Sequence, residues 1–283
     1  MIGFININKQ AGVSSAFITN KLKHIAKEKV GHLGTLDPMA TGVLVVSIGK
    51  ATRLFDYFLN KDKEYIFGVK FGKQTDTLDM AGKITMENGK VPTKAQILSI
   101  LPQFIGRQDQ IPPEYSAKNI NGERAYNLAR QGKEVNLAPK QIEIYSLDLL
   151  DFKDNEASLK VHCSSGTYVR SLARDIAKSL GTIGFASFIK RTKAGHFGIN
   201  ESVSLDEALK DISSHLISIE SVFKDSNKIK LNKSQTESLI CGKQTKIESE
   251  DKQDVLLMAF DSRVLGLADI IGGIIKIKSF LLE

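Results

Sequence analysis

Cysteine is scarce in this sequence: Cys163 and Cys241 are the only two in 283 residues. They stand far apart and neither falls in a metal-ligand spacing. A disulfide framework and a structural zinc site are therefore excluded, and a reducing cytosol is expected. Long apolar runs are also missing. The longest, such as Val43–Ile48, fall well below the roughly 20 residues that a membrane helix needs. The opening residues, MIGFININK, lack a basic stretch followed by an apolar run, so no signal peptide is expected. Neither a glycine fingerprint for nucleotides nor a metal-binding cluster is present, so the chain is expected to work without a cofactor or a metal.

What the chain has is ordinary core material and an excess of positive charge. Hydrophobic residues make up 42% and charged residues 25%, enough to fill a core without staples. The length exceeds that of a usual single domain, so one large domain and a smaller one are expected, divided into 1–225 and 228–283. Net charge is +7, which suits an anionic partner and equally a merely soluble surface. Its distribution says more. Residues 1–60 carry seven Lys or Arg against three acids, whereas the last 56 residues carry nine against eight. The excess lies in the larger part, with Lys190, Arg191 and Lys193 close together and Lys21 and Lys23 on an expected helix.

Periodicity supplies the elements. Ile2–Asn6 reads as a strand, and Ser14 as the N-cap of a helix carrying Ile18, Leu22, Ile25 and Ala26 on one face. Tyr65, Phe67, Val69 and Phe71 alternate strictly, as do Leu159, Val161 and Cys163, which is the period of a half-buried strand. A helix follows with Val169, Leu172, Ala173, Ile176 and Leu180 as its apolar face, closed by Gly181. Residues 92–140 read as an insertion holding a helix at Ala95–Leu101 and another around Arg124–Arg130. A hairpin-like stretch is expected up to Ile199. The tail, with short strands at Val255–Phe260, Val264–Ile270 and Ile274–Phe280, suits a small β-barrel. The fold class is α+β, a mixed, largely antiparallel sheet flanked by helices, with an all-β tail.

One loop stands out for chemistry. GHLGTLDPMATG (31–42) packs three glycines, a proline and two threonines into twelve residues, a composition read as neither helix nor ladder. It holds one carboxylate, Asp37, and one imidazole, His32, with basic residues on both sides. By itself this is equally an ordinary Asp–Pro turn.

The same loop resembles the catalytic loop of the TruB family of bacterial tRNA pseudouridine synthases. Further segments resemble that family in the same order: KDKEY (61–65), FGKQTDTLDMAG (71–82), IPPEYSAKNINGERAYNLARQG (111–132), SSGTYVRSLARDIAKSLG (164–181) and FIKRTKAGHF (188–197). They cover most of residues 1–200. The resemblance implies isomerisation of the T-loop uridine (position 55) of tRNA to pseudouridine. In that reaction the N1–C1′ bond breaks, the uracil turns, and C5 rejoins C1′, with no redox change and no group donor.

The resemblance also implies roles. Asp37 is the essential carboxylate and Arg170 its salt-bridge partner. Tyr65 stacks on the uracil, which must be taken out of its RNA stack. His32 wedges beside the flipped nucleotide, and Tyr168 and Ile189 border the base pocket, Ile189 standing where relatives commonly have leucine. Lys9, Lys190 and Arg191 are counted as further substrate contacts. Two departures from the pattern touch the Lys118–Asn119 region, where the usual lysine falls one position later, and the tail, whose resemblance to a PUA-type RNA-binding module is short. A monomer with no protein partner and no membrane is expected. Two other readings are a non-catalytic RNA binder on the same scaffold and a serine hydrolase built from Ser164 or Ser165 with His162; the latter lacks the strand–GxSxG–helix elbow.

Overall fold

The computed structural model of the chain describes residues 1–115, 119–120, 123–124 and 137–282. Its strands are β1 (Gly3–Lys9), β2 (Val30–His32), β3 (Thr41–Ile48), β4 (Lys63–Phe71), β5 (Lys73–Thr75), β6 (Ile84–Glu87) and β7 (Gly106–Gln110). Then come two-residue β8 (Asn119–Ile120) and β9 (Glu123–Arg124), long β10 (Lys140–Lys153), β11 (Glu156–Cys163), β12 (Gly184–Ala194) and β13 (Phe197–Gly198). The tail holds β14 (Lys228–Lys230), β15 (Lys252–Met258), β16 (Val264–Ile271) and β17 (Ile274–Phe280).

The large sheet runs β1-β3-β12-β4-β11-β10-β7, with β2 on β3 and β13 on β12. Its pairings are antiparallel except β12 with β3, so the expected mixed, largely antiparallel architecture is what forms. Alternation explains the centre. In β11 every second residue from Ala157 to Cys163 is buried, and the partner β4 buries Tyr65, Phe67, Val69 and Phe71. Beneath them packs a helix, Val169–Ser179, whose Leu172, Ala173, Ile176 and Ala177 are buried. Leu180 follows as its C-cap, and Gly181 takes φ +68°, a left-handed conformation that glycine adopts at little cost.

The first helix, Ser15–Ala26, starts where the Ser14 side chain accepts a hydrogen bond from Phe17 N. It buries Ile18, Leu22 and Ala26, while Ile25, sharing the spacing, is left exposed in the last turn. The stretch read as hairpin-like up to Ile199 forms the long strand β12 in mid-sheet and ends in a short hairpin, where Lys193 and Ala194 pair with β13. Residues 92–140 join the main sheet at both ends, because β7 pairs with the first residues of β10. A helix at Lys94–Ile100 forms there with a Thr93–Gln96 capping box. The helix expected around Arg124–Arg130 and the contact at Lys118 fall outside the described residues.

The tail is β-rich but is not the closed barrel expected. Its order is β14-β15-β16-β17, and among the described residues β14 does not pair with β17. With only three residues, β14 offers little edge to close on. The sheet is fastened to the rest through a shared core: Leu256, Leu267 and Leu281 join Phe4, Phe58, Phe197 and Phe223. Arg53 also donates to Phe280 O at 2.6 Å. Among the described residues no helix is long and apolar enough to cross a membrane.

Candidate active site

The loop between β2 and β3 is shorter than its composition suggests, because Val30–His32 and Thr41 onward belong to the ladder. Residues 33–40 remain, and donors from three elements hold them. From the end of β1, the Lys9 ammonium donates to Gln10 O at 3.0 Å, Val13 O at 2.7 Å and Pro38 O at 3.0 Å. From the first helix, Ser15 Oγ donates to Leu36 O and accepts from Leu36 N, both at 2.9 Å. From β12, the Arg191 guanidinium donates to Val43 O at 2.7 Å, Gly34 O at 2.9 Å and Thr35 O at 3.4 Å. Gly42, at φ +94°, lies so close to Arg191 O that a Cβ there would approach within 2.2 Å.

These contacts show where two of the expected substrate-contact residues lie. Lys9 is fully buried and Arg191 is 3% exposed, so neither lies on the open surface, and of the two only Arg191 lines the cavity beside Asp37. The ammonium of Lys9 is engaged by three carbonyls. Burial lowers its pKa from the ordinary lysine value to about 8, Asp37 pulling it up and Arg191 adding to the fall. Replacing Lys9 by Met would leave Gln10 O and Val13 O without this donor, while Pro38 O keeps Gly12 N–H at 2.9 Å. A loss of about 1–3 kcal/mol in urea-unfolding stability is expected, the cost of part-buried acceptors losing their donor. A change under about 0.5 kcal/mol, the range of a neutral surface replacement, would show that the clamp contributes nothing.

Asp37 crowns the held loop. Its Oδ2 lies 2.9 Å from Arg170 Nε and its Oδ1 3.2 Å from Arg170 Nη2, a fork-on-fork pair. Arg170 occupies the first turn of the Val169–Ser179 helix, and its side chain is 6% exposed against 36% for Asp37. The guanidinium is also held from behind. It donates to Thr77 O and Tyr115 O, each at 2.9 Å, and lies 3.6 Å from Asp79 Oδ2. Asp79 in turn accepts from Thr77 Oγ1 at 2.6 Å and Ala81 N at 3.0 Å. The arginine cannot swing without breaking several bonds, so the carboxylate is presented in one orientation.

The pair opens on a cavity of about 260 Å³, just below the roughly 300–1,000 Å³ typical of small-molecule pockets. Its wall brings together Asp37, Tyr65, Tyr168, Arg170, Ile189 and Arg191 from the expected set. Tyr65 is buried on β4, and burial pushes its phenol pKa up, with the nearby Arg191 charge and a hydrogen bond from Arg191 working the other way. Ile189 is 5% exposed and supplies an apolar face. Gln110 grips the Tyr168 backbone, donating to its carbonyl at 3.1 Å and accepting from its N–H at 2.8 Å.

His32 and Lys190 are not on that wall. His32 is half-buried on β2 with its Nδ1 enclosed and, among the described residues, without a hydrogen-bond partner. Burial and then the Arg191 charge lower its pKa. Lys190 is exposed on β12. Two functional candidates were not singled out from sequence: Asp79, and Lys63, which lines the cavity at 6% exposure. Both sit inside segments that carry the resemblance, KDKEY and FGKQTDTLDMAG, so the signal lay in those motifs. The hydrolase grouping does not assemble. Ser164 Oγ accepts from Glu143 N at 2.9 Å, and His162 turns to Asp62 at 3.6 Å.

Comparison with known proteins places the chain in a family. Residues 22–169 match the family described as TruB family pseudouridylate synthase (N terminal domain); Asp37 and Tyr65 fall inside that span, and Arg170 immediately after it. The chain is 37% identical to tRNA pseudouridine synthase B of Aquifex aeolicus (strain VF5), over 99% of this chain and all of the relative. It is 45% identical to tRNA pseudouridine synthase B of Francisella philomiragia, over 79% of this chain and 76% of that protein. Among solved structures, one of a Cbf5-Nop10-Gar1 complex superposes with a TM-score of 0.76 at 22% identity, covering 99% of this chain and 85% of that one. That likeness shows a shared fold.

Proposed function

The chain belongs to the TruB family of pseudouridylate synthases and is a pseudouridine synthase, and from that premise we propose that it converts the T-loop uridine of tRNA to pseudouridine at the Asp37 pocket. The observation that carries the proposal is the fork-on-fork Asp37–Arg170 pair at the mouth of a base-sized cavity. A carboxylate presented to a polyanion needs a cation beside it, and Arg170 supplies that while fixing the oxygen positions.

The reaction needs little else. The uridine is drawn out of its stack, at a cost of a few kcal/mol, and the uracil enters between Tyr65 and Ile189. Asp37 acts on the sugar or the base as nucleophile, or removes a sugar proton. The N1–C1′ bond breaks, the ring turns within the cavity, and C5 bonds to C1′. The C5 proton then leaves and N1 gains one, so the atoms balance without donor or oxidant. Tyr168 borders the same space. The tail sheet and the segment around 92–140 are assigned to RNA binding, and Lys21, Lys23, Lys190 and Lys193 to the phosphate backbone.

Mapping pseudouridines in tRNA after incubation with the pure protein tests the proposal directly. A single new pseudouridine in the T loop is expected, and a tRNA returned unmodified would overturn it. A stem-loop of the T arm should suffice as substrate. Tyr65→Phe keeps the stacking ring and loses the hydroxyl; RNA binding should hold within about threefold while product formation falls roughly 10²-fold, the scale of a lost proton-transfer group. Equal rates for Tyr65→Phe and parent would limit the residue to stacking. Salt gives a further check, since each phosphate contact contributes about one unit to the slope of log affinity against log salt. Replacing Lys190 and Lys193 by Ala should flatten that slope by one to two units. An unchanged slope would place both lysines against solvent.

A further inference from the structure

The carboxylates of the pocket are already spent on Arg170: Asp37 in front of it and Asp79 behind it. Two other cations reach the same wall. Arg191 is 3% exposed, and it is held by the carbonyls of Gly34, Thr35 and Val43 and by the Tyr65 side chain. Lys63 is 6% exposed, and its ammonium donates to Leu59 O at 2.6 Å and to Lys61 O. Among the described residues neither forms an ion pair. The acids beside Lys63 in sequence turn elsewhere, Asp62 to His162 and Glu64 to Lys160 and Lys193. Burying cations that have only neutral partners is expensive. The fold keeps two of them facing one small cavity.

A neutral uracil gives no return on that arrangement. The return comes when the N1–C1′ bond breaks, because the bonding electron pair stays on N1 and the detached ring is an anion. We propose that Lys63 and Arg191 are catalytic residues that stabilise the uracil anion while it is detached from the sugar. This rests on the pseudouridine reading of the pocket. Fixed positive charge in a site shielded from water acts far more strongly than in solvent. It favours the bond-breaking transition state over the bound substrate, which is the condition for raising the rate. The charge is needed again until C5 attacks C1′, after which C5 loses its proton and N1 is protonated. The position of the two cations also explains a cost carried by the fold: burial, with Arg191 nearby, brings the Lys63 pKa down to about 8.

Leaving-group strength separates this role from a structural one. Fluorine at C5 withdraws electrons and makes the N1 anion easier to form. Single-turnover rates are to be measured on two T-arm stem-loops, with uridine or 5-fluorouridine at the target, by loss of that nucleoside from nuclease digests. For Lys63→Met on uridine, a fall of roughly 10²-fold is expected, the scale of one lost electrostatic donor, with RNA binding within about threefold. On 5-fluorouridine the fall should be smaller by about tenfold or more, and Lys63→Arg should recover most of the uridine rate. Arg191→Lys, which keeps the charge and loses the loop-clasping fork, should show no such difference between substrates. Equal deficits of Lys63→Met on both substrates, or no deficit on either, would overturn the proposal. A parent protein that leaves uridine unchanged in both stem-loops overturns the reading beneath it, and this one with it.

Discussion

Asp37→Asn is expected to abolish pseudouridine formation, at least about 10³-fold below the parent, while tRNA affinity stays within a few-fold. The amide nearly copies the carboxylate in shape but is neither a nucleophile nor a base. Removing a negative charge from a surface that meets phosphate does not weaken attraction to the RNA. The fold should tolerate the change, since the Asp37 side chain is 36% exposed and Arg170 keeps Thr77 O, Tyr115 O and Asp79 as partners. Tritium release from C5-labelled uridine in tRNA, run beside a filter-binding titration, reads both quantities. Turnover at a tenth of the parent rate would remove Asp37 from the chemistry.

Arg170→Lys should be almost as damaging, although charge is conserved. The guanidinium reaches both oxygens of Asp37, two carbonyls and Asp79 at once. An ammonium has three donors without a planar fork, so it cannot serve all of these acceptors. Asp79, 7% exposed at the side chain, is left partly unpaired, and an unpaired buried carboxylate is the costly half of a broken ion pair. A fall of about 10²-fold or more in kcat is expected, the scale of a lost fixed electrostatic partner. Urea stability should drop by about 2–4 kcal/mol, the scale of breaking a buried pair. Single-turnover rates within tenfold of the parent, with unfolding unchanged, would mean that charge alone suffices and the fork is dispensable.

Much of the scaffold was legible in the sequence because its signals are local. The alternation of Tyr65, Phe67, Val69 and Phe71, and the Ser14 cap ahead of Ile18 and Leu22, each involve a few neighbouring residues and elementary steric rules. Asp37 was legible through its loop, whose resemblance to a family raised it above an ordinary turn. The closing of the tail was not legible. Three strands with turn residues fit a barrel or an open sheet equally, and the difference lies in whether β14 finds β17.

The cations show most sharply what tertiary structure decided. Lys190 and Arg191 are adjacent, equally charged and alike to any reading of composition. A strand sends neighbours to opposite faces. Because β12 lies between β3 and β4, one face puts Lys190 in solvent and the other drives Arg191 under the loop that carries Asp37. Lys9 looks like a surface cation at the end of a strand, yet it is buried under Pro38. Arg170 meets Asp37 across 133 residues of chain, a distance over which sequence periodicity carries no information. The sequence by itself determined the strand periods, the first helix and the acid in its loop. Which positive charges face solvent, which clasp the loop and which surround the pocket was decided only by strand order, because that sets what lies on each side of the sheet.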